Sequence, residues 1–206
     1  MKLYLSSFKL GNRTDYLKEW LKTHDNKIAL IPNARDFRDD LYASEERILT
    51  DINDLTNLGF NTIKLDLRNY FGKPKELEEH LREFSACYVS GGNTYVLRRA
   101  MAMSGFDKFL KSKTDDGGFL YAGYSAGICV LADKLDGISM MDEPEIDPYN
   151  YGSIIHDGIG LLDFTPIPHY QSDHFETEFA NKAVEYCEQN GIIYKTMQDG
   201  EVIIIE

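Results

Sequence analysis

The sequence predicts an α/β protein of three layers, a mostly parallel sheet with helices on both faces. Two observations carry that prediction. Short β-type runs alternate with helix-period segments through the first half of the chain, which is how parallel strands joined by crossover helices read in sequence. Two strand candidates, ACYVS and FLYAGY, also lead through glycine-containing turns into helical segments. The 206 residues are 43% hydrophobic and 27% charged, ordinary proportions for one compact unit, so residues 1–206 are read as a single domain. At this length folding buries about 70% of the extended chain's surface, and the core needs no disulfide or metal staple.

Taken in order, LYLSS (3–7) and KIALI (27–31) read as strands around a helix over residues 16–22. Ser44 followed by Glu45 and Glu46 marks a helix start, after which Ile48, Ile52, Leu55 and Leu58 recur at helical spacing. TIKLDL (62–67) is a strand, KELEEHLREF (75–84) a helix, ACYVS (86–90) a buried strand, and residues 94–101 a helix. FLYAGY forms the next strand, with a helix from Ser125 onward. Residues 133–160, dense in Asp, Gly and Pro, form a long loop of the kind that is usually functional or disordered. A strand over 164–167 follows, then a helix over about 175–190 with Asp173 and Glu176 placed as a capping box. IIYKTM and EVIII flank Asp199-Gly200 and read as a closing hairpin.

Composition excludes several classes of function. With 22 basic and 34 acidic residues the formal charge is −12, which repels nucleic-acid phosphates and anionic lipid. Cys87, Cys129 and Cys187 are odd in number and widely spaced, fitting neither a zinc pattern nor a disulfide framework, as expected of reduced thiols in a cytoplasm. The opening MKLYLSSF breaks too soon for a secretory signal. The longest uncharged run, residues 117–132, is too short and glycine-broken for a membrane span.

That same run holds the chemistry. Gly123-Tyr124-Ser125-Ala126-Gly127 fits G-x-S-x-G between a strand and a helix, where a strained turn lifts the serine hydroxyl above the sheet. The Ala126 N–H, at the helix N-terminus, would stabilise an oxyanion beside Ser125. The bland alternative is that the glycines permit close packing and Ser125 only caps the helix. Cys129, four residues into the helix, points to the packed interface and is a core residue. Ser90-Gly91-Gly92-Asn93-Thr94 is a second glycine turn whose amides can supply another oxyanion donor or cradle a phosphate; it lacks the spacing of ATP and NAD motifs.

A serine nucleophile needs a neutral imidazole, and histidine with a pKa near 6.5 is about three-quarters neutral at pH 7. His24, His80, His156 and His174 have surface or capping readings. His169 directly follows a short strand, at the strand end where α/β proteins bind ligands, and is the candidate base. The orienting acid is assigned to Asp142, which gives the chain order Ser, Asp, His; Glu143, Glu145, Asp147 and Asp199 are the other candidates.

VSGGNTYVL, YAGYSAG, DEPEIDP and PIPHY, in this order, resemble the peptidase E family of serine peptidases, which includes α-aspartyl dipeptidases and cyanophycinases. The resemblance covers residues 89–170, with weaker support from the first strands and from TMQDGEVI. It implies a class I glutamine amidotransferase-like, flavodoxin-like fold, Ser125 as nucleophile, His169 as base, Asp142 as acid, and Gly92 with Ala126 as oxyanion donors. Some members take the third residue from the carboxy-terminal segment, which keeps Asp199 in play. Dipeptidases of the family that select aspartate carry an arginine in the helix after the histidine. Here HFETEFANKAVEY has none, which argues against aspartyl specificity unless Lys182 reaches the cleft.

The resulting expectation is a serine peptidase of short peptides, working through an acyl-enzyme without metal or organic cofactor, as a monomer or homodimer. An α/β-hydrolase esterase and a noncatalytic anion-binding module are the alternatives. The esterase suits the chain order but not the short separation of Ser125 and Asp142.

Overall fold

The computed structural model describes residues 1–37 and 41–206. Its main sheet has six strands in the order β3-β2-β4-β5-β1-β8. These are β1 (Lys2–Ser6), β2 (Lys27–Ile31), β3 (Asn61–Lys64), β4 (Ala86–Val89), β5 (Leu120–Tyr124) and β8 (Val202–Ile205). The first five are mutually parallel, and β8 closes one edge antiparallel to β1, with Leu3 opposite Ile205 and Ser6 opposite Val202. A separate parallel pair is formed by β6 (Thr165–Ile167) and β7 (Tyr194–Thr196).

Alternating side chains of the central strands feed two cores. Leu3, Leu5, Ala29, Ile31, Cys87, Val89 and Tyr121 face one way, while Tyr4, Ile28, Leu30, Ala86, Tyr88, Leu120 and Ala122 face the other. Both sets are buried, which explains why these strands read as continuous apolar runs instead of alternating ones. On the second face lie α1 (Thr14–Leu21) and α2 (Leu41–Leu58), which contribute Leu17 and Trp20, and Ile48 and Leu55. On the first lie α3 (Pro74–Leu81), α4 (Thr94–Ser104), α5 (Phe106–Ser112), α6 (Ala126–Cys129) and α7 (Thr177–Asn190). In α7, Ala180, Ala183, Val184 and Cys187 form the buried stripe at helical spacing.

Several local expectations change in the folded chain. Ser44 lies inside α2, which begins at Leu41. TIKLDL shortens to β3, because Asp66 turns the chain by accepting from the Arg68 N–H and opens a 3₁₀ turn at Leu67–Tyr70. The helix after Ser125 is a single turn. Residues 133–160 are largely irregular, with one 3₁₀ segment at Asp136–Met140. Glu176 occupies the position before α7 but makes no capping bond, so the capping box does not form. The closing hairpin does not form either: β7 pairs with β6 and β8 with β1. Asp199-Gly200 therefore turns the chain from one sheet to the other. No helix among the described residues is long and apolar enough to cross a membrane.

Candidate active site

Because β1, β2, β4 and β5 are parallel, their carboxyl ends share one edge of the sheet, where α/β folds bind ligands. Beyond that edge β1 leads to Ser7 and Phe8, β2 to Arg35, β4 to the Gly91-Gly92 turn and β5 to Ser125. A narrow cavity of about 30 Å³ lies there, walled by Gly91, Gly92, Ser125, His169, His174 and Glu176 among others.

Ser125 has φ 49° and ψ −119° at the start of α6, and its side chain makes no capping hydrogen bond. A non-glycine residue in this region stores about 1–3 kcal/mol of strain, which a simple helix cap does not require. Gly127 supplies the close packing: a Cβ there would stand 2.3 Å from the Val89 carbonyl oxygen. The second glycine turn presses against the serine, since a Cβ on Gly91 would lie 3.0 Å from Ser125 Cβ. Gly92, at φ 153°, passes so near Ala34 that a Cβ would fall 2.2 Å from its carbonyl oxygen. Among the described residues neither the Gly92 nor the Ala126 N–H donates a hydrogen bond.

His169 is 1% exposed and also has positive φ, at 62°. Its backbone N–H donates to Ser7 Oγ at 2.9 Å, and its Nδ1 lies 2.7 Å from Asp199 Oδ1. Ser7 Oγ is in turn 3.2 Å from the same Asp199 oxygen, so the end of β1 ties base and acid together. The other ring nitrogen, Nε2, lies 3.4 Å from Glu176 Oε2. Burial, followed by the neighbouring His174, pushes the His169 pKa below its ordinary value, against the pull of Asp199. The His174 ring stacks on His169 with centroids 3.9 Å apart and planes 8° from parallel.

Asp142, the expected orienting acid, makes no hydrogen bond to His169 among the described residues. Its carboxylate accepts the Thr94 N–H at 2.9 Å, at the start of α4, and desolvation raises its pKa to about 6. The carboxylate bonded to His169 is Asp199, because the switch from β7 to β8 carries the Asp199-Gly200 turn over the imidazole. Cys129 is buried with its thiol on the Pro166 carbonyl, as expected of a core residue, and burial raises its pKa well above normal. His24 stacks on Trp20, His80 bonds Tyr70, and His156 is exposed beside Asp136. Lys182 sits over the Phe179 ring.

Several site residues carry no sequence motif. His174, with a surface or capping reading in sequence, packs on the base, and Phe8 meets both rings edge-on. Under the cleft, Asp51 accepts from Ser90 Oγ at 2.6 Å and from the Tyr124 hydroxyl, which itself accepts from Arg35. The one signal available for Phe8 and Arg35 was their position just beyond predicted strands.

Ligand atoms of His169, His174 and Glu176 lie within 4.8 Å of one another. The two rings are nearly parallel, so their in-plane lone pairs run side by side instead of converging on one ion.

The profile described as Peptidase family S51 matches residues 5–206. An uncharacterized peptidase of Listeria monocytogenes is 32% identical over 120 residues, covering 54% of this chain and 56% of the relative. One from Pasteurella multocida is 30% identical over 112 residues, covering 53% and 51%. The matched regions thus span about half the length of these curated relatives. A crystal structure of a candidate peptidase E protein from Listeria monocytogenes superposes with a TM-score of 0.76 at 24% identity, covering 100% of this chain and 98% of that one. A peptidase from an acI-B1 actinobacterium superposes at 0.71 with 16% identity, covering 100% and 83%. These two likenesses establish the fold. The family match, which runs through every segment that builds the cleft, places the chain in peptidase family S51.

Proposed function

We propose that the protein is a serine peptidase that hydrolyses short peptides through an acyl-enzyme, with Ser125 as nucleophile, His169 as base and Asp199 as orienting acid. The observation that carries this reading is the strained Ser125 in one small cavity with His169, whose Nδ1 is held by Asp199 at 2.7 Å. That bond places the ring proton on Nδ1 and leaves a lone pair on Nε2. Ser125 Oγ bonds to the scissile carbonyl carbon as its proton passes to Nε2. The carbonyl oxygen, now anionic, meets the Gly92 and Ala126 amides. The C–N bond then breaks, and Nε2 returns the proton to the leaving amine. Water repeats the sequence on the acyl-enzyme and releases the second product. While it holds the proton, the imidazolium is favoured by Asp199 at Nδ1. The chain order Ser125, His169, Asp199 also departs from that of α/β-hydrolase esterases, which weakens the esterase alternative.

A fluorophosphonate probe tests the nucleophile. It should label Ser125 stoichiometrically, as read by peptide mass spectrometry, and the labelling should be lost in His169→Gln; labelling elsewhere, or none, would sink the assignment.

The base must be neutral to act. With its pKa held below 6.5, kcat/KM should stay on its plateau at pH 7 and fall on the acid side with an apparent pKa below 6.5. His174→Asn removes a neighbour that disfavours the imidazolium, so the acid limb should move to higher pH. A pH–rate series on both proteins checks the position and the sign of the move.

A further inference from the structure

We infer that Asp51 is a positioning residue for the oxyanion amides: by binding Ser90 and Tyr124 at once, its carboxylate fixes the distance between the two glycine turns of the cleft. The word oxyanion here rests on the peptidase reading.

Asp51 stands where an apolar side chain would pack. On α2 it falls between Ile48 and Leu55, on the stripe that faces the sheet, and it is 3% exposed. A buried acid at such a position is costly unless its oxygens are engaged. Here Oδ2 accepts from Ser90 Oγ at 2.6 Å, and the Tyr124 hydroxyl lies 3.2 Å from Oδ1 and 3.1 Å from Oδ2. Burial pushes the Asp51 pKa up, and the Ser90 bond, the Arg35 charge and the Tyr124 bond oppose that rise.

The two partners occupy equivalent places. Ser90 is the first residue beyond β4, and Tyr124 is the last of β5. The register between these strands ends with Val89 opposite Gly123, one residue short of either partner. Gly92 then follows Ser90 by two positions, and Ala126 follows Tyr124 by two. One carboxylate therefore bridges the strands where their pairing stops and each departs toward its amide. The turns also touch: a Cβ on Gly91 would stand 2.8 Å from Tyr124 Cε2, so the Gly91-Gly92 turn rests on the Tyr124 ring. An oxyanion needs both amides about 3 Å away at the same moment, and a shift of either turn by about 1 Å releases one donor.

Asp51→Leu and Asp51→Asn test the clamp, because both side chains match aspartate in size and only the amide can bond the hydroxyls. Peptide hydrolysis is measured on the full-length proteins, at a temperature where melting curves show each to be folded. Asp51→Leu should lower kcat by about 10- to 100-fold with KM within about threefold, and Asp51→Asn should stay within about fivefold of wild type. Ser90→Ala alone should lower kcat by about five- to tenfold, yet add less than about twofold to Asp51→Leu, since the arm it removes is already gone. A lower melting temperature with unchanged kcat, equal losses in the two Asp51 variants, or full additivity of Ser90→Ala overturns the inference. If Asp51→Leu does not fold, Ser90→Ala decides, and an unchanged kcat in that variant is the overturning result.

Amide exchange followed by NMR gives a reading without substrate. The N–H groups of Asn93 and Ile128 close the two turns onto the Ala34 and Ser125 carbonyls at 2.7 and 2.8 Å. In Asp51→Leu both should exchange about tenfold faster while Cys87 and Tyr121, inside β4 and β5, keep their protection. That loosening, in a protein whose wild type turns over no peptide, would refute the peptidase reading and leave the clamp standing. Turnover with neither kcat nor exchange altered in Asp51→Leu would do the reverse.

Discussion

Ser125→Ala is expected to leave a folded protein whose peptide hydrolysis falls on the order of 10⁴- to 10⁶-fold. The serine hydroxyl has no structural duty that would confuse the result, since it makes no capping bond to α6. Alanine also tolerates the same turn about as well as serine, so the strain at φ 49° remains and the melting temperature should change little. What survives is the modest acceleration due to the two free amides and the cleft. Product release from defined peptides, measured beside a circular-dichroism melt, checks both halves of the expectation. Undiminished hydrolysis by the variant would rule out the acyl-enzyme.

Asp199→Asn should lower kcat by about 10⁴-fold with a much smaller change in KM. An amide in this position can present its NH₂ group to Nδ1, which shifts the ring proton to Nε2 and takes away the lone pair that must receive the serine proton. It also removes the negative charge that supports the imidazolium. Asp142→Asn is the matched control. Its amide oxygen can still accept the Thr94 N–H, and hydrolysis should stay within about threefold of wild type. Steady-state kinetics on the two variants distinguishes the acids, and the opposite ranking would return the role to Asp142.

The five parallel strands were legible because their interiors are apolar on both faces, and because helix-period segments separate them. The strand-to-helix turn that carries Ser125 was legible, as was the place of His169 just after a strand. Their neighbours were less so, for a common physical reason. Asp142 was chosen by its place in the chain order, whereas proximity to His169 is decided by the pairing of distant strands. The Asp-Gly turn favours a local hairpin, but pairing with β1 and β6 prevails because it covers the edge of the main sheet and completes the smaller one. Glu176 had the spacing of a capping residue, yet it faces His169 Nε2. Arg35 belongs to no motif, and its place on the Ser125 cavity emerges only when the end of β2 is set next to the end of β5.

The turn that delivers Asp199 is held on one side by the small β6–β7 pair and on the other by β8, an outermost strand. Edge elements open more readily than central ones. Asp199 thus borrows its position from the periphery, so fraying at the rim can draw it off His169 while the hydrophobic interior stays intact.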